Sequence, residues 1–295
     1  MISLSSDHVF EYMVASGALA FDGKGWPWER PLVWSGLIKP ELFTVVIKTL
    51  TRQPREGNYR WWKPWECTRL IQGGSVNKIG LTNGGIEWWM KEIAPTIDFK
   101  KYHIVGSIYG NKKELMQMAS LLNRFDLVAL EVNPSCPNTG NAMPIAEEVV
   151  SGVKIAKHFS RHPIIVKVSV VQDYLAIAEG LKGIAEAISL NAVPWEVVFP
   201  RQRSPLWRLE KKIGGGGGGV SGKPAQKFNW AAARALRNQR ALPVIVPGVM
   251  DYEDFIRTKK RFDAVSFGAI HFRTPWAPTS FVEREMKETK EREEL

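Results

Sequence analysis

From residue 103 onward, short apolar runs alternate with longer stretches whose apolar positions recur every three or four residues. An apolar run that ends in turn-forming residues reads as a strand buried on both faces, as in a parallel sheet, and the longer stretches read as amphipathic helices. The strands fall at His103–Tyr109, Leu127–Asn133, Ile164–Val168, Ala187–Leu190, Pro243–Val246 and Ala264–Phe267, preceded by Met13–Ala15 and Thr44–Thr49. The helices fall at Lys112–Arg124, Pro144–Phe159, Gln172–Ala185, Phe228–Asn238 and Tyr252–Arg261, with Asn111 and Asp251 placed to cap two of them. Eight strands in repeated βα order predict an α/β protein of the (β/α)8 TIM-barrel class, a single domain over residues 1–295 with loop insertions over the C-terminal face of the barrel.

Some segments break the alternation. Residues 201–219 gather Arg201, Arg203, Arg208, Lys211 and Lys212 around Glu210 and continue into Gly214–Gly219. This reads as a basic, glycine-rich, flexible loop, solvated rather than a nucleic-acid surface. Its last glycines, with Gly222 and then Lys223–Pro224 ahead of a helix, have a second reading as the opening of a phosphate-binding loop. Residues 279–295 form a helix of alternating charge, solvent-exposed and without chemistry. The first 100 residues are less regular and hold eight tryptophans, from Trp26 to Trp89, which read as packing or as cover over the barrel mouth.

In a barrel of this class the functional groups stand at the C-terminal ends of the strands, so the polar residues just past each apolar run are the candidates. They are Ser16 and Gly17, Lys48, Asn133 with Ser135, Cys136 and Asn138, Lys167 and Ser169, Asn191, Gly248, and Gly268. Lys48 closes Val45-Val46-Ile47, and Lys167 interrupts Ile164-Ile165-Val166 and Val168. A charge at such a buried position requires an anionic or polar partner, either a bound ligand or a structural carboxylate.

Composition narrows the partners. Forty Lys and Arg against thirty Asp and Glu give a net charge of +10, which favours phosphate esters, carboxylates or RNA. Only two cysteines, Cys67 and Cys136, argue against a disulfide scaffold and leave Cys136 reduced. No run approaches the roughly 18 apolar residues of a membrane span, and no targeting leader opens the chain. A cytoplasmic protein without a membrane partner is therefore expected.

The motif Glu131-Val132-Asn133-Pro134-Ser135-Cys136-Pro137-Asn138 resembles the Asn-x-Ser-Cys-Pro-Asn motif of dihydroorotate dehydrogenases, in the soluble class with a catalytic cysteine. Val14-Ala15-Ser16-Gly17 is similar to the family's opening Ala-Ser-Gly. Lys48-Thr49-Leu50-Thr51 and Pro54-Arg55-Glu56-Gly57-Asn58 resemble its Lys-Thr-x-Thr and Pro-Arg-x-Gly-Asn. Asn77 to Asn83, Val166-Lys167-Val168-Ser169 and Gly219-Val220-Ser221-Gly222 resemble Asn-x-x-Gly-Leu-x-Asn, Val-Lys-Leu-Ser and Gly-Leu-Ser-Gly. These matches run in family order over nearly the whole chain.

The resemblance implies an FMN-containing (β/α)8 barrel that oxidises dihydroorotate to orotate in pyrimidine biosynthesis. Cys136 would be the general base, with Lys48 and Lys167 beside the reacting centre and Lys167 near the flavin N1/O2 edge. Lys48, Asn77, Asn133, Asn138 and Asn191 would bind the substrate with backbone help from Ile79, Gly80 and Leu81. Ser16, Gly17, Lys48, Thr49, Asn133, Lys167 and Leu190 would surround the flavin, and Gly222, Gly248, Gly268 and Ala269 would meet its phosphate. The resemblance also implies a homodimer, and an electron-transfer subunit wherever an iron–sulfur cluster is needed, since two cysteines cannot ligate one.

Three positions depart from the family pattern. Pro247-Gly248 stands for Gly-Gly, Gly268-Ala269 for Gly-Thr, and Ala192 for Ser or Thr. Two other readings compete with this one. A tRNA dihydrouridine synthase shares the barrel and an Asn-x-x-Cys-Pro signature but not Ser-Cys-Pro-Asn or Lys-Val-Ser. A non-catalytic barrel acting as a partner subunit would have no use for Cys136, Lys48 and Lys167 together.

Overall fold

The computed structural model describes residues 1–135 and 143–294. Eight parallel strands close a barrel: β1 (Tyr12–Val14), β2 (Thr44–Val46), β3 (His103–Ile108), β4 (Ala129–Val132), β5 (Ile164–Val168), β6 (Ala187–Leu190), β7 (Val244–Val246) and β8 (Ala264–Phe267). Each pairs with the next in chain order, and β8 returns to β1. Several strands stop short of their sequence-predicted ends, because the polar residues that close the apolar runs already belong to the loops.

Two inward layers follow from the period-two alternation of strand side chains. Met13, Val46, Val105, Ala129, Ile165, Ala187, Ile245 and Ala264, one from each strand, form an apolar layer with Ile2, Leu4 and Phe10 of the amino-terminal hairpin. Two residues further along, the inward positions become Lys48, Ser107, Glu131, Lys167, Ser189 and Ser266. The last five of these are buried, so the apolar floor carries a polar layer above it. The intervening residues, among them Ile104, Leu130, Ile164, Val166 and Ile188, pack outward against Leu115, Met118, Leu122, Val149 and Val153 of the surrounding helices. Strands with a core on both faces read as unbroken apolar runs for that reason.

The helices begin where polar side chains satisfy their first N–H groups. Lys112–Leu122 opens with a capping box: Asn111 Oδ1 accepts from Glu114 N–H at 3.0 Å and Glu114 Oε2 from Asn111 N–H at 2.8 Å. Asp251 accepts from Asp254 N–H at 2.8 Å at the head of Tyr252–Lys259. The helix expected from Phe228 starts earlier and spans Lys223–Gln239, with Pro224 in the first turn, where a missing N–H costs nothing. The one expected over Gln172–Ala185 shrinks to Tyr174–Gly180 behind the cap Asp173. The charged terminal helix spans Ala277–Glu293, and its first turns bury Thr279 and Val282.

A feature absent from the sequence expectation lies among the loops. Thr68–Ile71, Gly74–Asn77, Gly219–Gly222 and Val193–Pro194 form a four-stranded antiparallel sheet, in that spatial order, drawn from the connections after β2 and β6. Gly74 is required there, since a Cβ on it would lie 2.0 Å from the Ser221 carbonyl oxygen. The stretch 201–219 also holds a helix, Trp207–Ile213. The glycines after it are tied down: buried Lys78 donates to the carbonyls of Gly214 and Gly216, and Ser204 Oγ donates to Gly217 O at 2.7 Å. Gly219–Gly222 thus forms a strand that leads directly into a helix N-terminus.

Candidate active site

A cavity of about 680 Å³ opens above the polar layer, within the range of small-molecule and cofactor sites. Strand register builds its floor, pairing Ser107 with Glu131 across β3 and β4 and Ser189 with Lys167 across β6 and β5. Lys167 Nζ stands 3.4 Å from both carboxylate oxygens of Glu131. Ser107 Oγ donates to Oε1 at 3.0 Å and Ser189 Oγ to Oε2 at 3.3 Å. Glu131 is 1% exposed. The charge expected to need a partner at Lys167 therefore has a structural carboxylate on one side and the cavity on the other. Removing either member would leave the other buried and unpaired, at a cost on the order of 3–5 kcal/mol.

Hydroxyls and amides continue the network upward. Thr49 Oγ1 lies 2.9 Å from both Ser107 Oγ and Ser16 Oγ, and it accepts from Asn133 Nδ2 at 3.1 Å. Ser135 Oγ donates to the Lys167 carbonyl at 2.8 Å, and Asn191 Nδ2 donates to the Ser135 carbonyl at 2.9 Å. Asn133 and Asn191 are thus fixed side by side at the ends of β4 and β6. Lys48 enters from the end of β2, its ammonium 5.9 Å from the Phe21 ring centroid.

The cavity brings together Ser16, Gly17, Lys48, Thr49, Asn77, Ile79, Gly80, Leu81, Asn133, Lys167, Leu190, Asn191, Gly222, Gly248, Gly268 and Ala269, whereas the candidates Ser135 and Ser169 are buried and do not line it. Cys136 and Asn138 lie outside the described residues. Sequence reading missed Glu131 and its serines. The signal was present, since Glu131 is a charge inside an apolar run and lies two residues before Asn133, on the same strand face. Of the tryptophans read as packing or as cover over the barrel mouth, Trp26, Trp28, Trp61 and Trp65 line the cavity. Trp26 and Trp28 stack with ring centroids 5.4 Å apart.

Several polar groups in and beside the wall are unpaired among the described residues. The backbone N–H groups of Gly248 and Val249 make no hydrogen bond to any described residue, and Pro247 beside them has none to offer. Ser75 Oγ and Asn229 Oδ1, both on cavity-lining residues, are buried and unpartnered among the described residues. Buried polar atoms left unpaired in this way are met by a ligand or water.

Fold and cavity define a class: a (β/α)8 barrel with a cationic, amide-lined pocket at its C-terminal face, shaped for an anionic ligand. The chain matches the dihydroorotate dehydrogenase family over residues 34–259 and belongs to it. Members of that family are FMN-dependent oxidoreductases acting on the CH–CH group of dihydroorotate. The chain is 30% identical over 263 residues to a dihydroorotate dehydrogenase B (NAD(+)) catalytic subunit of Desulforamulus reducens, covering 82% of this chain and 80% of that protein. It is 32% identical over 258 residues to a putative dihydroorotate dehydrogenase A (fumarate) of Solibacter usitatus, covering 81% and 78%. The fold is shared with a crystal structure of the Eimeria tenella enzyme in complex with ferulenol, at a TM-score of 0.64 and 15% identity, covering 91% of this chain and 78% of that one. The residues present fit FMN, because the cavity is lined by Lys48 and Lys167 and by unpaired donors for a phosphate, Ser75 Oγ and the Gly248 N–H. No helix among the described residues is long and apolar enough to cross a membrane.

Proposed function

We propose that this chain oxidises dihydroorotate to orotate in the cavity above the Lys167–Glu131 pair, with Cys136 as the general base. The single observation that carries the reading is the convergence of Lys48, Lys167, Asn133 and Asn191 on one cavity that Gly248 also lines, its backbone N–H unpaired among the described residues. FMN, when bound, would supply the hydride acceptor, its phosphate on the glycine backbones of Gly222, Gly248 and Gly268. Lys48 would hold the substrate carboxylate, since a lysine paired with a carboxylate is a strong, charge-assisted contact. Asn77, Asn133, Asn138 and Asn191 would match the alternating donors and acceptors of a pyrimidine edge, which amides do in either sense. Cys136 would take the substrate C5 proton. A free thiol has a pKa of about 8.5, and a lysine beside it would favour the thiolate.

Support for a partner is of another kind. The Desulforamulus relative is named a catalytic subunit, and two cysteines cannot hold an iron–sulfur cluster. We extend the proposal to a separate electron-carrying subunit and to a cytoplasmic location.

The test is an absorbance spectrum of the purified protein before and after anaerobic addition of dihydroorotate. A flavin spectrum that bleaches is expected, and Cys136→Ala should keep the flavin while losing most of the bleaching rate. Flavin that stays oxidised would move the substrate elsewhere, and bleaching unchanged by Cys136→Ala would remove Cys136 from the base role.

A further inference from the structure

Resting on the reading above, we infer that Glu131 is a positioning and charge-tuning residue: its carboxylate sets how much of the Lys167 charge a bound flavin feels. Glu131 lines no part of the cavity, so it acts through its neighbours. Its two oxygens face Lys167 Nζ equally, at 3.4 Å each, and each also takes one serine hydroxyl, Ser107 on Oε1 and Ser189 on Oε2. The carboxylate is thereby held symmetrically from three strands, and the ammonium stands between it and the cavity.

Few opposing charges in a protein interior are screened by water, and this pair is buried on both sides, with Lys167 6% and Glu131 1% exposed. The cavity therefore meets a nearly neutral dipole with its positive end forward. A bare lysine would stabilise negative charge on the reduced cofactor more strongly and draw electrons onto it. A dipole of moderated strength lets the same lysine assist reduction and still allows the electrons to leave. Ser107 and Ser189 have the opposite influence: their hydroxyls drain negative charge from the carboxylate and so strengthen the effective charge of Lys167.

The two influences predict opposite signs. Glu131→Gln keeps the size and one acceptor but removes the charge, so the midpoint potential of bound FMN should rise. The expected shift is at least tenfold in the oxidised-to-reduced equilibrium, about 30 mV for a two-electron couple. Ser189→Ala strips a hydroxyl from the carboxylate, and the potential should fall. Glu131→Asp, which restores the charge, should return toward the wild-type value.

Potentials are read against reference dyes on the FMN-loaded protein, and FMN content is measured separately. A Glu131→Gln potential equal to wild type, or one that moves in the same direction as Ser189→Ala, would overturn the inference while leaving the flavoenzyme reading intact. Should Glu131→Gln fail to fold, the sign of the Ser189→Ala shift decides the matter alone, a rise or no change counting against it. A wild-type chain that takes up no FMN would overturn both readings.

Discussion

At the scale of single residues, the site divides into side chains that the sequence announces and side chains that only packing reveals. Lys48 and Lys167 were legible because a charge at the end of an apolar run must be accounted for. Glu131 obeys the same rule but sat inside a motif whose interest lay further on, at Cys136, and its partner on the neighbouring strand is a matter of register. We expect Lys48→Ala to lose a charge-assisted contact of about 1.5–3 kcal/mol, which is roughly a ten- to hundredfold fall in kcat/KM for dihydroorotate. Steady-state kinetics indistinguishable from wild type would take Lys48 out of the site. Glu29 offers a second test away from the chemistry. It is 3% exposed and accepts from Trp26 N–H at 2.8 Å, and burial outweighs that bond and pushes its carboxyl up to about 7. The folded state thus binds more protons than the unfolded one between pH 4.5 and 7, so this group's contribution to stability is full at low pH and is lost as pH rises through that window. Glu29→Gln cannot ionise. Its unfolding midpoint should match wild type near pH 4.5 and exceed it at pH 8, by at most about 3 kcal/mol of stability; an equal gap at both pH values would refute the assignment.

At the scale of elements, barrel strands and helices were readable and the cover sheet was not, for one reason. Barrel strands are bounded by apolar contacts on both faces, which leave a continuous run in the sequence, whereas the cover strands are two to four residues long, and the two central ones carry glycine. Strands this short carry no period. Their association depends on close backbone approach, as between Gly74 and Ser221, and on Lys78, a buried cation that sequence alone presents as an ordinary motif residue. Burial lowers the Lys78 pKa against the pull of Glu210 and Glu196, so the ammonium is retained by the two glycine carbonyls and those acids. Lys78→Met should release residues 214–218 without melting the barrel. Two carbonyls would lose a charged donor, at about 1–3 kcal/mol. Trypsin should then cut after Lys211 or Lys212 several times faster than in wild type while the thermal midpoint changes little. Equal cleavage rates would mean that the glycine segment is held by Glu196 and Ser204 alone.

At the scale of the whole molecule, the order of strands around the barrel equals their order in the chain, which is why counting βα units sufficed to state the fold. What counting could not supply is how the two ends are closed, and there each end holds a histidine, half-buried at one end and buried at the other. At the amino-terminal end His8 Nε2 lies 2.7 Å from Thr44 Oγ1, and its ring centroid is 4.6 Å from that of His103. Burial first, and the neighbouring His103 second, bring its pKa down to about 4. At the other end His271, three residues after Gly268, is buried with neither ring nitrogen partnered among the described residues, and burial brings it to about 4 as well. Unfolded histidine titrates at 6.5, so between pH 6.5 and 4 the unfolded chain holds protons that the folded barrel refuses. Stability from both groups is full above pH 6.5, drains as pH falls toward 4, and changes no further below it. The two rings sit at opposite ends of the barrel and share no partner, so their effects should add. A series of thermal midpoints at decreasing pH should fall across that window in wild type. It should fall less steeply in His8→Gln and in His271→Phe, and least in the double variant, by the sum of the two single changes. A double variant that loses stability as steeply as wild type would place the acid sensitivity of the fold in its carboxylates instead.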